Sequence, residues 1–253
     1  MVYITGDCHA EFRKFYSKRF PEQKQLTRDD YVIVCGDFGL WHDDKRERNE
    51  LAILAHRPFT ILFVDGNHEN FDRLYSDEFE IVDFHGGKAH KIRENIYHLM
   101  RGQIFELCGK KFFAFGGASS HDTQDGILDR DDFNSDDEFV RTMRIWNVMG
   151  KRFRVNHVSW WKEEMPSDEE IQFGMDNLLM HNNEVDFIIS HCCSSYTQSL
   201  ISKAYTSVDK LTAAFNAIED NVKFKKWYFG HYHRDVAIDD KHILMYRDIV
   251  RIV

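Results

Sequence analysis

Val2-Tyr3-Ile4-Thr5-Gly6-Asp7-Cys8-His9 is the stretch on which the reading of this chain turns. Four residues suited to a buried strand run into a glycine, and an acid and an imidazole follow two positions apart. On an extended segment that spacing sends both side chains to the same side. The same order of events returns four times. Tyr31 to Cys35 ends at Gly36-Asp37, and Thr60 to Val64 ends at Gly66-Asn67-His68-Glu69. Val185 to Ser190 ends at His191, and Lys226 to Phe229 ends at Gly230-His231-Tyr232-His233. In open α/β sheets ligands bind beyond the carboxyl ends of strands, so five such ends can converge on one place.

The residues at those ends are metal-ligand types. Carboxylates offer hard anionic oxygens, and imidazoles suit Mn, Fe, Ni or Zn. Asp37 has two oxygens and could bridge two ions, while the Asn67 carboxamide offers a neutral oxygen. A lone Gly-Asp or His-x-His is weak evidence, because most such histidines are packed or exposed without a ligand. Five occurrences in order in one chain are a much stronger signal.

Between these ends the first half alternates strands with helices, read over Glu11 to Phe20 and Asp43 to Ala55. Fully apolar strands separated by helices predict a parallel sheet covered on both faces. Short segments over Glu80 to Phe84, Ala89 to Ile92, Ile96 to Leu99, Gln103 to Leu107 and Lys111 to Phe115 read as hairpins. Residues 121–157 are polar and acid-rich, with a helix expected over Asp136 to Met149, and read as a cap-like insertion. Ser167 and Glu170 form a capping box that starts a helix reaching His181. Val208 to Glu219 reads as another helix, and Val236 to Ile238 with His242 to Tyr246 as a terminal antiparallel group. With three prolines and no Gly/Ser-rich linker, residues 1–253 read as a single domain.

Composition narrows the function classes. A formal net charge of −9 argues against non-specific binding to nucleic acid or anionic membranes. No segment has the apolar length of a membrane span, and the opening residues do not read as a signal peptide. Five cysteines without Cys-x-x-Cys spacing predict a reduced, cytoplasmic setting.

The ordered set Asp7-x-His9, Gly36-Asp37, Gly66-Asn67-His68-Glu69, His191 and Gly230-His231-x-His233 resembles the calcineurin-like metallophosphoesterase family. The resemblance implies an α/β fold of four layers, αββα, with two mixed sheets flanked by helices. It implies two divalent ions, with Mn the leading choice and Fe, Ni or Zn as others. Asp7, His9, Asp37 and His233 would hold the first ion, and Asp37, Asn67, His191 and His231 the second. By the same resemblance His68 faces the substrate phosphate and gives a proton to the leaving oxygen. Two ions about 3.5–4 Å apart would share a hydroxide that attacks phosphorus in line.

The sequence departs from the phosphoprotein phosphatases of this superfamily at Leu40 and Trp41, where those enzymes carry an acid and a phosphate-binding arginine. It resembles instead small bacterial or phage-type members, through Gly116-Gly117-Ala118-Ser119-Ser120 and Trp160-Trp161-Lys162-Glu163-Glu164. The expected substrate is a small phosphomonoester or phosphodiester, nucleotides included. Trp41, His121, Trp160, Trp161 and Tyr232 are candidates to stack on it. The alternative is a catalytically inactive, metal-stabilised scaffold on the same fold.

Overall fold

Runs of β-branched and aromatic residues become strands here because both of their faces are covered. The computed structural model describes residues 1–39, 44–202 and 208–253. In it β1 (Val2–Thr5) pairs in parallel with β2 (Tyr31–Val34), and α1 (Lys45–Ala55) crosses to β3 (Thr60–Phe63), parallel to β2. The short helix α2 (Phe71–Leu74) leads to β4 (Glu80–Phe84), β5 (Gly87–Arg93) and β6 (Ile96–Leu99), an antiparallel group whose last strand returns to lie parallel to β3. A hairpin of β7 (Gln103–Leu107) and β8 (Lys110–Phe115) opens a second sheet.

Then come β9 (Gly126–Leu128), α3 (Asp136–Val148) and β10 (Phe153–Val155), with β9 and β10 paired only with each other. They are followed by α4 (Asp168–Met180), β11 (Phe187–Ser190), α5 (Ser195–Ile201), α6 (Lys210–Asn221) and β12 (Lys226–Phe229). The chain ends with β13 (Val236–Ala237), β14 (His242–Leu244) and β15 (Val250–Arg251). The first sheet has seven strands in the order β15-β1-β2-β3-β6-β5-β4, and the second six in the order β13-β14-β12-β11-β8-β7.

Three apolar clusters define the layers. Val2, Ile4, Ile33 and Leu62 from the first sheet meet Phe105, Phe112, Phe187 and Ile189 from the second, so the two sheets stack face to face. The outer face of the first sheet, with Val32, Val34, Ile61 and Phe63, packs on Phe15, Leu51, Leu54 and Phe71. The outer face of the second, with Phe113, Ile188 and Trp227, packs on Leu178, Leu211, Phe215 and Ile218. Alternate side chains of one strand therefore enter different cores, which is why its sequence is apolar throughout. The result is the α/β arrangement of two large mixed sheets between helical layers.

Several local expectations needed correction. Glu11 to Phe20 is not one helix: only a 3-10 turn, Arg13–Phe15, forms there. The reason lies in Lys14, whose Nζ reaches inward to Thr5 Oγ1 and to the carbonyls of Gly6, Asp7 and Tyr246. The β6–β7 connection is no hairpin, because it carries the chain from one sheet to the other. The helix α5, capped by Ser194, and the edge strand β15 were not foreseen. The helix read from Asp43 starts at Lys45 behind the Asp44 cap; Asp43, with Leu40 and Trp41, lies outside the described residues.

Candidate metal centre

All five strand ends meet at one edge of the two sheets. Asp7 and His9 follow β1, Asp37 follows β2, Asn67 and His68 follow β3, His191 follows β11, and His231 and His233 follow β12. One ligand atom from each of Asp7, His9, Asp37 and His233 lies within 4.8 Å of the others. Within that group His233 Nε2 is 3.1 Å from Asp7 Oδ2 and 2.9 Å from His9 Nε2. A second group sits beside it: His191 Nε2 is 3.3 Å from Asp37 Oδ2, from Asn67 Oδ1 and from His231 Nδ1. Asp37 is common to both, since its Oδ2 is also 3.7 Å from His9 Nε2.

The backbone is bent to bring these groups together. His9, Asp37, His231 and His233 all have positive φ, a conformation that side-chain-bearing residues rarely adopt. Two glycines are required by close approach. At Gly36, with φ +92°, a Cβ would stand 2.1 Å from His191 Nδ1, and at Gly230 it would stand 2.1 Å from Asp7 Oδ1. Backbone amides and carbonyls then fix the side chains. The His231 amide donates to Asp7 Oδ1 at 3.0 Å, and the His68 amide to Asp37 Oδ1 at 2.9 Å. His191 Nδ1 is 2.8 Å from the Cys35 carbonyl, so it donates there and leaves Nε2 to face Asp37 and Asn67. His231 Nε2 likewise meets His121 Nε2 at 2.8 Å, leaving Nδ1 to face the second group.

The electrostatics are those of a centre built for cations. Burial alone would raise the Asp7 and Asp37 carboxyls, yet both lie far below the ordinary range: His233 and His9 hold Asp7 down, and His191 holds Asp37 down. Burial opposes charge on His191 as well, but Asp37 and Asp7 raise its imidazole to about 10. His231, buried and next to His191, is pushed well below its usual value and is neutral. The proton on His191 thus does the neutralising work that a divalent ion would take over on binding.

The donor atoms fit such ions. Ligands about 2.1 Å from one centre stand roughly 3–3.4 Å apart, close to the 2.9–3.7 Å separations given for the two groups. Hard oxygens mixed with imidazoles suit a divalent transition metal.

Surrounding residues complete the site. Glu69 accepts from the amides of Phe38 and Gly39 at 2.6 and 3.0 Å. Asn67 Nδ2 donates to Ser120 Oγ, which in turn donates to Glu164 Oε2. A cavity of about 390 Å³ opens over the centre, lined by Asp37, Asn67, His68, His121, Arg154 and His231 among others. Of the stacking candidates, His121 is at this cavity. Trp161 and Tyr232 are buried in the two outer cores, Trp160 lines a separate surface cavity, and Trp41 lies outside the described residues. Arg154 and the Ser120–Glu164 pair were missed by sequence reasoning. The alternating Arg152-Phe153-Arg154 spacing was the available signal for the first.

The profile of the family described as calcineurin-like phosphoesterase matches residues 1–235. Lariat debranching enzyme A of Xenopus laevis is 24% identical over 152 residues. That match covers 53% of this chain and 27% of the relative, so the chain spans about a quarter of that protein's length. A crystal structure of a protein of unknown function from Aquifex aeolicus is 22% identical, covering 64% of this chain and 81% of that one, with a TM-score of 0.25. Calcineurin-like phosphoesterases are in general metal-dependent phosphoester hydrolases that bind divalent ions. With the profile matched over most of the chain and an Asp/His cluster at the strand ends, this protein belongs to the calcineurin-like phosphoesterase family.

Proposed function

We propose that the protein is a dinuclear metal-dependent phosphoesterase acting on a phosphomonoester or phosphodiester, nucleotides included. Asp7, His9, Asp37 and His233 would hold one ion and Asp37, Asn67, His191 and His231 the other, with manganese the first metal to test. The reading rests on one geometric fact: Asp37 Oδ2 lies between His9 Nε2 and His191 Nε2, at 3.7 and 3.3 Å. When bound, such ions polarise the phosphoryl oxygens and lower the pKa of the attacking water.

The chain's own groups do the rest. Asp37 and Asp7 supply the negative charge that retains cations in a buried setting. His68 is held by its own amide on Asp37 Oδ1, with its ring edge-on to His9 at 5.3 Å between centroids. Burial lowers its proton affinity, so a proton on its ring is readily released to a leaving oxygen. The 121–157 segment, read as an insertion in a single domain, contributes His121 and Arg154 to the rim. Five free cysteines suit a reducing, cytoplasmic setting.

The test is metal-dependent release of nitrophenol from nitrophenyl phosphate and its bis-ester, with and without His68→Ala. The expected outcome is turnover with Mn that falls about 10²-fold or more in the variant, most for esters with poor leaving groups, while metal content is kept. No turnover with Mn, Ni, Zn or Fe would favour the inactive scaffold. Loss of metal from His68→Ala would make His68 a ligand or a fold residue.

A further inference from the structure

Building on the phosphoesterase reading, we propose that Arg154, carried by the inserted segment, clamps the substrate's phosphoryl group against His68. The two arginines in the cavity lining, Arg152 and Arg154, both come from this segment. The Arg154 side chain is 16% exposed, so little of its fork is spent on bulk water. One side of the guanidinium is fixed: Nε donates to Asp122 Oδ1 at 2.7 Å and Nη1 to the Ser159 carbonyl at 3.1 Å. The remaining arm, Nη2, points at His68 Nε2 from 3.4 Å. A planar fork with two arms anchored and one presented over the proton donor is preorganised for a phosphoryl oxygen.

The strand that carries it is also anchored. β10 pairs with β9, and just beyond it His157 Nδ1 and Trp161 Nε1 both donate to Asp72, at 2.8 and 2.7 Å. Asp72 lies in α2, the helix that follows His68, so donor and clamp share one mounting. Arg152 differs. It is exposed, and among the described residues no ion pair or hydrogen bond holds its guanidinium. The control for the general loss of one positive charge is Arg144, exposed on α3 and outside the cavity lining.

The competing explanation is that Arg154 only fastens the insertion to Asp122. The two are separated by inorganic phosphate binding to the manganese-loaded full chain, read by calorimetry, with metal content measured on the same samples. Arg154→Gln, which retains a polar contact to Asp122, should weaken phosphate at least about tenfold with manganese content unchanged. Arg154→Lys should recover part of that loss, since it restores a point charge without the fork. Arg144→Ala should stay within about threefold of the wild type, because exposed charge is screened. Phosphate affinity in Arg154→Gln equal to the wild type's would overturn the proposal, as would an equal loss in Arg144→Ala or a manganese-loaded wild type that takes up no phosphate. A wild type that binds phosphate through Arg154 yet releases no nitrophenol sinks the hydrolase reading and leaves the clamp standing.

Discussion

Asp37 is the residue on which both halves of the centre depend. It is 1% exposed, and its carboxylate faces His9, His191 and the His68 amide at once. Asp37→Asn preserves the shape but removes one negative charge between two expected cations. Turnover should fall by a factor on the order of 10³ or more, read with nitrophenyl phosphate and Mn; near-wild-type rates in the metal-loaded variant would refute the bridging role. Glu164 gives a prediction of a different kind. Burial pushes its carboxyl up to about 7, so the folded chain keeps a proton that the unfolded chain releases near 4.5. The stability tied to that proton is complete below about pH 4.5 and is lost as pH rises through 7, at up to about 1.4 kcal/mol per unit. Glu164→Gln removes that slope, so its melting temperature in metal-free protein should decline less than the wild type's between about pH 5 and 7. Parallel declines would assign the wild-type slope to other groups.

The elements divide into those that frame the centre and those added to it. The strands were legible because burial on both faces leaves an unbroken apolar run, as in Tyr31–Val34 and Phe187–Ser190. The start of α4 was legible because Ser167 and Glu170 satisfy each other's backbone partners locally. The failed helix after Glu11 was not, because what bends it is Lys14 reaching Tyr246, 232 residues away. The same reason hid Arg154, whose contact with His68 spans 86 residues. Within the insertion, α3 has no buried residue, and Asp125 and Arg152 are already joined by a 2.9 Å backbone hydrogen bond. Deleting residues 126–151 by joining those two should shift melting by no more than about 5 °C and leave metal uptake intact. Loss of cooperative unfolding would show that the segment is part of the core.

At the scale of the molecule, two sheets stack so that ten or so ångströms of apolar core end in a polar edge, and at that edge buried Asp7 and Asp37 face a set of imidazoles. That sheets stack face to face came from the family resemblance and not from periodicity, since strand pairing across sheets leaves no local trace. Without cations, the like charges of Asp7 and Asp37 lean on neighbouring histidines and on the His231 and His68 amides. Chelation should therefore lower the melting temperature and Mn at about 100 times its Kd should restore it, a gain of about 2.7 kcal/mol. Identical melting with and without chelator would mean that the centre holds no ion tightly.

The most direct measurement is anomalous diffraction from crystals of the manganese-loaded protein. The expected result is two peaks about 3.5–4 Å apart, one beside Asp7, His9 and His233, the other beside Asn67, His191 and His231, with Asp37 touching both. A single peak, or none among these seven side chains, would contradict the dinuclear account.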